Sequence, residues 1–152
     1  MALLLPNMNH MKILFALILA TMMMGCSSVV DPIEYGSDEC HYCSMTIVEK
    51  QYASALVTDK GKTRKFDAVE CLVNFIHENP EITANNLYVN VFDAPGKLVD
   101  ATSCSYLISP MLPSPMGANL TAFSNMEQAN AMLQKAPGKL YSWSELLALE
   151  KP

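Results

Sequence analysis

The chain has 152 residues, of which 51% are hydrophobic and 16% are charged, and its formal net charge is −5 at pH 7. This length accommodates one domain, or two small sub-domains around a shared core. The mildly acidic balance, with no visible basic patch, excludes nucleic acid as an expected partner.

The N-terminal segment 1–25 has the pattern of a secretory signal. Lys12 precedes an apolar run, and the small residue Gly25 precedes the predicted cleavage point. The run is too short for a good membrane span. Met11 is the most typical start beside Lys12, and the alternative starts are Met1 and Met8. The segment therefore predicts export from the cytoplasm.

Cys26 follows this signal in the sequence Met23-Met24-Gly25-Cys26, which resembles a bacterial lipobox. In such a box the thiol is acylated, and the lipid anchors the protein without spanning the bilayer. Ser27 follows the cysteine, so the Gram-negative sorting rule makes the outer membrane the expected destination of a periplasm-facing lipoprotein. The alternative is a soluble secreted protein with a spare cysteine. Residues 26–37 are expected to form a tether.

The first half of the domain predicts two strands, a helix and a third strand. Asp67 is expected to cap the helix at its N-terminus, and Pro95-Gly96 is expected to form the turn after the third strand. The predicted elements cover residues 52–58, 63–66, 67–77 and 87–93.

The second half repeats this plan. Phe66-Asp67-Ala68-Val69-Glu70 aligns with Phe123-Ser124-Asn125-Met126-Glu127, and in both segments the acid could close a capping box. Strands are predicted over 106–108 and 120–123, and a helix capped by Ser124 over 125–135. Ser142 is expected to cap a last short helix. The fold class is thus α+β: two tandem ββα-type units, approximately 38–95 and 96–152, with a short C-terminal helix.

The sequence has five cysteines, and four remain free of the predicted lipid: Cys40, Cys43, Cys71 and Cys104. In an oxidising compartment four cysteines often form two disulfides. The Cys40-x-x-Cys43 spacing is more typical of metal ligands or a redox couple, because so small a ring stabilises little. Cys71 and Cys104 could form a bridge with each other or remain as buried core thiols.

Two methionines extend this set of sulfur atoms. Met45 lies two residues after Cys43 and would point to the same side in an extended segment. Met116 lies in a loop rich in Pro and Gly, where it has no evident packing role. Thiolate and thioether donors together favour copper(I) over zinc or calcium.

These motifs, taken in order, resemble the NosL lipoproteins over essentially the whole mature chain. The motifs are Asp38-x-Cys40-x-x-Cys43-x-Met45-x-Ile47, Phe66-Asp67-x-x-x-Cys71 and Ser114-Pro115-Met116-Gly117, followed by Ala122-Phe123.

The resemblance implies a copper(I) chaperone and not an enzyme. NosL-like proteins supply the copper–sulfur cluster of nitrous oxide reductase in the periplasm, together with a membrane-bound ABC-type complex. Carried over by position, the candidate copper residues are Cys40, Cys43, Met45 and Met116. Whether both cysteines bind stays open. His41 is not expected to be a ligand.

Two other functions fit parts of the pattern. A thiol–disulfide oxidoreductase could use Cys40 and Cys43, but such enzymes place the first cysteine at the start of a helix, and the β-prone segment 44–48 follows here. A zinc-stabilised structural module could use all four thiols, which would leave Met45 and Met116 unexplained.

Overall fold

The computed structural model describes residues 30–82 and 86–150. The predicted signal segment 1–25 and the predicted lipidation site Cys26 lie outside these residues. The elements in chain order are β1 (Ser54–Val57), β2 (Thr63–Phe66), α1 (Val69–Glu78), β3 (Asn86–Val91), β4 (Ala94–Asp100), β5 (Ser105–Ile108), β6 (Leu120–Phe123), α2 (Met126–Leu133), β7 (Lys139–Ser142) and α3 (Trp143–Leu147).

The strands form two antiparallel sheets, in the orders β2-β1-β3-β4 and β6-β5-β7. In each sheet a hairpin is followed by a helix, and the next strand then pairs with the first strand of the hairpin. The predicted α+β class and tandem arrangement are confirmed. The repeated unit is ββαβ, one strand longer than the predicted ββα.

Buried side chains from both sheets form one principal core. Leu56 and Val89 come from the first sheet, Tyr106 and Leu120 come from the second, and Leu72 of α1 joins the same cluster. The Phe92 N–H donates to the Ala122 carbonyl at 2.8 Å and connects the two sheets directly. The units therefore share a core, as the length of the chain suggested.

Strand β4 differs from the sequence prediction. Pro95-Gly96 lies inside it, and the tight turn comes earlier, at residues 92–93. Because β4 is an edge strand, it tolerates a proline that cannot donate to the ladder. The pairing of β4 with β3 places the end of the first unit near Asp100 instead of the predicted residue 95. Strand β7 was missed entirely.

Two of the three predicted helix caps are wrong. Asp67 does not cap α1: the N-cap is Ala68, and no side chain among the described residues caps this helix. Helix α2 is capped by Asn125, whose side chain accepts from the Gln128 N–H, whereas Ser124 bonds to Asp93. The Ser142 prediction is confirmed.

The segment expected to be a tether is partly packed on the domain. The Ile33 side chain is buried in the principal core, and the Gly36 N–H donates to the Ile47 carbonyl at 2.8 Å. Ordered structure thus begins before the predicted start at Asp38. Over the described ranges, no helix is long and apolar enough to cross a membrane.

Candidate metal centre

The first two cysteines lie in a tight loop before β1. The Cys40 N–H donates to the Met45 carbonyl at 2.8 Å, and the Ser44 N–H donates back to the Cys40 carbonyl at 2.9 Å. Ser44 has a φ of 62°, in the left-handed region. The segment is therefore a turn, and the assumption of an extended chain that would put Cys43 and Met45 on one side is wrong.

This loop is fastened to the neighbouring sheet at its start. The His41 N–H donates to the Lys65 carbonyl at 2.8 Å. The Lys65 ammonium forms an ion pair with Asp38 at 2.6 Å, and the same carboxylate accepts from the Glu34 N–H. These contacts hold the two cysteines in a defined place beside helix α1.

Cys71 completes a cluster of three thiols. Its side chain comes from the first turns of α1, and the sulfur atoms of Cys40, Cys43 and Cys71 all lie within 4.8 Å of one another. The Cys71 and Cys43 sulfurs are 4.0 Å apart. Cys40 and Cys71 are buried, whereas Cys43 is partly exposed. Three convergent thiols on a loop and a helix form a pocket that a soft metal ion could occupy from the Cys43 side.

The three thiols have different electrostatic environments. The hydrogen bond from the Cys71 thiol lowers the pKa of Cys40, and backbone N–H groups including that of Cys43 support its thiolate. The same hydrogen bond, with burial, raises the pKa of Cys71. Burial raises the pKa of Cys43. Cys40 is therefore the thiolate of the cluster, and the other two sulfurs keep their protons until something displaces them.

Cys104 lies apart from this cluster. Its thiol donates to the Asp100 carbonyl at 3.4 Å, and burial raises its pKa to about 11. Cys71 and Cys104 are both free thiols, so the possible bridge between them is not formed. Among the described residues the metal-capable group holds three cysteines and not Cys104, so the four-thiolate zinc arrangement is not assembled.

Asp67 has a different role from the predicted helix cap. It is buried, its backbone N–H points to the Cys40 sulfur, and its carboxyl accepts from the Val48 N–H. Burial, reinforced by the nearby Cys40 charge, raises the pKa of this carboxyl. Asp67 therefore links the cysteine loop to the junction between β2 and α1.

The two candidate methionines lie on exposed loops. The Met45 side chain is 47% exposed and that of Met116 is 41% exposed. The Met116 loop is held against α1 by Ser114, whose hydroxyl donates to the Glu70 carboxylate. Glu70 directly precedes Cys71 in the helix, so the Met116 loop and the thiol cluster belong to the same end of α1.

The His41 side chain contacts two neighbouring side chains and is not simply solvated. The Arg64 guanidinium lies 2.9 Å from its Nε2, and because guanidinium can only donate, this nitrogen is the acceptor. The ring also packs edge-on against Phe75 at 5.4 Å between centroids. Burial and the Arg64 charge lower the pKa of His41. The lone pair that would bind a metal through Nε2 is therefore already engaged.

The sequence predicts Cys71 as half of a bridge or as a core thiol, whereas the structure places it in the cluster. The available signal is its position at the sixth residue of the Phe66-Asp67-x-x-x-Cys71 motif, beside a helix start. Nothing in the local sequence gave its distance from Cys40 and Cys43.

Comparison with known proteins identifies relatives of this arrangement. The sequence model of the NosL family matches residues 33–148. The chain is 28% identical over 148 residues to the copper-binding lipoprotein NosL of Stutzerimonas stutzeri, covering 88% of this chain and 78% of that protein. The crystal structure of the copper chaperone NosL from Shewanella denitrificans has a similar fold, with a TM-score of 0.68 and 24% identity, covering 78% of this chain and 95% of that chain.

Proposed function

Since the chain belongs to the NosL family, we propose that it binds copper(I) outside the cytoplasm and passes the ion to an acceptor protein. The observation that carries the proposal is the convergence of Cys40, Cys43 and Cys71 within 4.8 Å. It is a binding protein and not an enzyme, as are the relatives named above.

The donor atoms favour copper(I) over harder ions. Thiolates are soft ligands, and copper(I) accepts two or three of them without needing a closed tetrahedral shell. Structural zinc sites have four ligands, and Cys104 is engaged with the Asp100 carbonyl instead. The His41 Nε2 faces Arg64, so nitrogen ligation, which copper(II) favours, is not offered at that atom.

The exposed methionines suit transfer of the ion. A thioether needs no deprotonation before it binds and cannot form a disulfide, so it remains available in an oxidising compartment. With exposures of 47% and 41%, Met45 and Met116 are accessible to the ligands of an acceptor. In this proposal the cysteines hold the ion, and the methionines form the outer ligands that exchange first.

The proposal also names the cellular location of the protein and the acceptor of its copper. The lipid on Cys26 holds the protein to the membrane facing the periplasm, with the outer membrane as the expected destination. The recipient is the assembly route of nitrous oxide reductase, including its ABC-type complex. The relative from Stutzerimonas stutzeri is named a lipoprotein, which supports the anchoring.

Anaerobic titration of the reduced mature protein with copper(I), against a chromogenic chelator, tests the binding. We expect one ion per chain and weaker binding in Cys43→Ala, Met45→Ala and Met116→Ala. Met111→Ala is the matched control, since Met111 is an exposed methionine (62%) whose backbone N–H donates to the Ser109 hydroxyl.

Other outcomes would support the alternatives. Unchanged copper affinity in all cysteine and methionine variants, with dithiol redox cycling, would favour an oxidoreductase. A requirement for zinc during folding would favour a structural module. Copper transfer to the reductase assembly proteins, followed by native mass spectrometry, tests the recipient separately from the binding.

A further inference from the structure

Glu70 is an unusual residue for its position. It lies in the first turn of α1, where an acid normally faces solvent and interacts favourably with the helix dipole. Here its side chain is only 1% exposed. Burying a carboxylate is costly unless it is well hydrogen-bonded, and the aligned Glu127 of α2 is exposed. Packing alone therefore does not account for an acid at position 70.

The partners of Glu70 all come from the Met116 loop, apart from its own backbone. The Ser114 hydroxyl donates to Oε1, and the N–H groups of Met116 and Ala118 also point toward the carboxylate. The loop is closed on itself by the Gly117 N–H, which donates to the Ser114 carbonyl at 3.0 Å. One buried side chain thus accepts the Ser114 hydroxyl and faces two backbone N–H groups of the same turn.

The other carboxylate oxygen of Glu70 is unpaired among the described residues. Oε2 of Glu70 has no hydrogen-bond partner within the part of the chain described. A buried carboxylate with one unpaired oxygen costs folding free energy, so stability alone does not explain the acid. The arrangement instead fixes the Met116 backbone beside the residue that precedes Cys71.

We propose that Glu70 is a positioning residue, which holds the Met116 loop so that its thioether can reach an ion bound by the three thiols. This inference rests on the proposed copper function. Three residues of the Phe66–Cys71 motif then have separate roles. Asp67 holds the cysteine loop, Glu70 holds the Met116 loop, and Cys71 is a ligand.

A double-mutant cycle in the full mature chain tests the inference. Glu70→Ala and Met116→Ala are each expected to weaken copper(I) binding by about tenfold, as removal of supporting residues does at metal sites. Because Glu70 acts through Met116, adding Glu70→Ala to Met116→Ala should cause no further loss. Glu70→Gln keeps an acceptor oxygen for Ser114 and should retain most of the affinity.

A second readout follows the methionine itself. With methyl-labelled methionine, the Met116 methyl resonance should shift on copper(I) addition in the native protein and in the matched control Glu127→Ala. It should not shift in Glu70→Ala. The other methionine resonances of this variant should match those of the native protein, both without copper and with copper. If Glu70→Ala does not fold, Ser114→Ala, which removes one donor to the Glu70 carboxylate, replaces it in the same double-mutant cycle.

The outcomes separate the two proposals. Equal losses from Glu70→Ala with and without Met116 would overturn the positioning role, and so would a Met116 resonance that still shifts in Glu70→Ala. Absence of copper binding by the native protein would instead overturn the proposed function, and the role of Glu70 with it.

Discussion

Replacement of Cys71 by alanine tests whether the third thiol is a ligand. Cys71 is fully buried in α1, and alanine preserves the helix while removing only the sulfur. Cys40 and Cys43 remain and can still bind copper(I) as a pair. We therefore expect weakened binding and not complete loss, by about 10–100-fold, which corresponds to about 1.4–2.8 kcal/mol.

The pKa differences within the cluster predict how this loss varies with pH. At neutral pH Cys40 is the thiolate, whereas Cys43 and Cys71, whose pKa values are raised, keep their protons. An ion that binds all three sulfurs displaces about two protons, so the affinity rises with pH. Without Cys71, the donor that chiefly lowers the Cys40 pKa is lost as well, so Cys40 and Cys43 both release a proton and about two protons are again displaced. Both affinities should thus rise with pH, and the difference between the two proteins should stay roughly constant.

Chelator competition from pH 6 to pH 8 measures both quantities. Cys104→Ala is the matched control, because Cys104 is also buried and free but donates to the Asp100 carbonyl. It should keep native affinity and native pH dependence. Equal affinities for Cys71→Ala and Cys104→Ala, or a native affinity that does not rise with pH, would refute the three-thiol site.

Three further predictions concern the surroundings of the site and the fold. His41→Ala should leave copper(I) affinity within about twofold, because Arg64 already occupies Nε2; a tenfold loss in chelator competition would make His41 a ligand. Gly138→Ala should destabilise the fold by about 3 kcal/mol in urea unfolding, since a Cβ would lie 2.1 Å from the Ile108 carbonyl oxygen, and a native midpoint would contradict this. Ser142→Ala should cost about 1 kcal/mol in the same assay through loss of the capping box, and no change would mean that α3 adds little to global stability.

Elements governed by local signals were predictable from the sequence. The sequence predicts the strands 63–66 and 120–123 with their correct ends, and it predicts Ser142 as the cap of the last helix. The internal repeat was also informative, because Phe66 and Phe123 end equivalent strands and equivalent helices follow them. In each case the decisive residues lie within one turn or one strand of each other.

Features that depend on distant partners were not predictable. Asp67 has the residue type of a helix cap, but its carboxyl accepts from Val48, and Glu70 bonds to Ser114 instead of closing a capping box. Strand β7 has a short, partly polar sequence and is a strand because it pairs with β5. Cys71 joins Cys40 and Cys43 only when α1 packs beside the cysteine loop.

The thiol cluster joins two elements that are separated by the β1–β2 hairpin. An ion held by Cys43 and Cys71, which are 28 positions apart, closes a ring through that hairpin. Such a ring restricts the unfolded chain as a disulfide does, but it opens whenever the ion leaves. The empty and loaded forms should therefore differ in resistance to heat and to proteases.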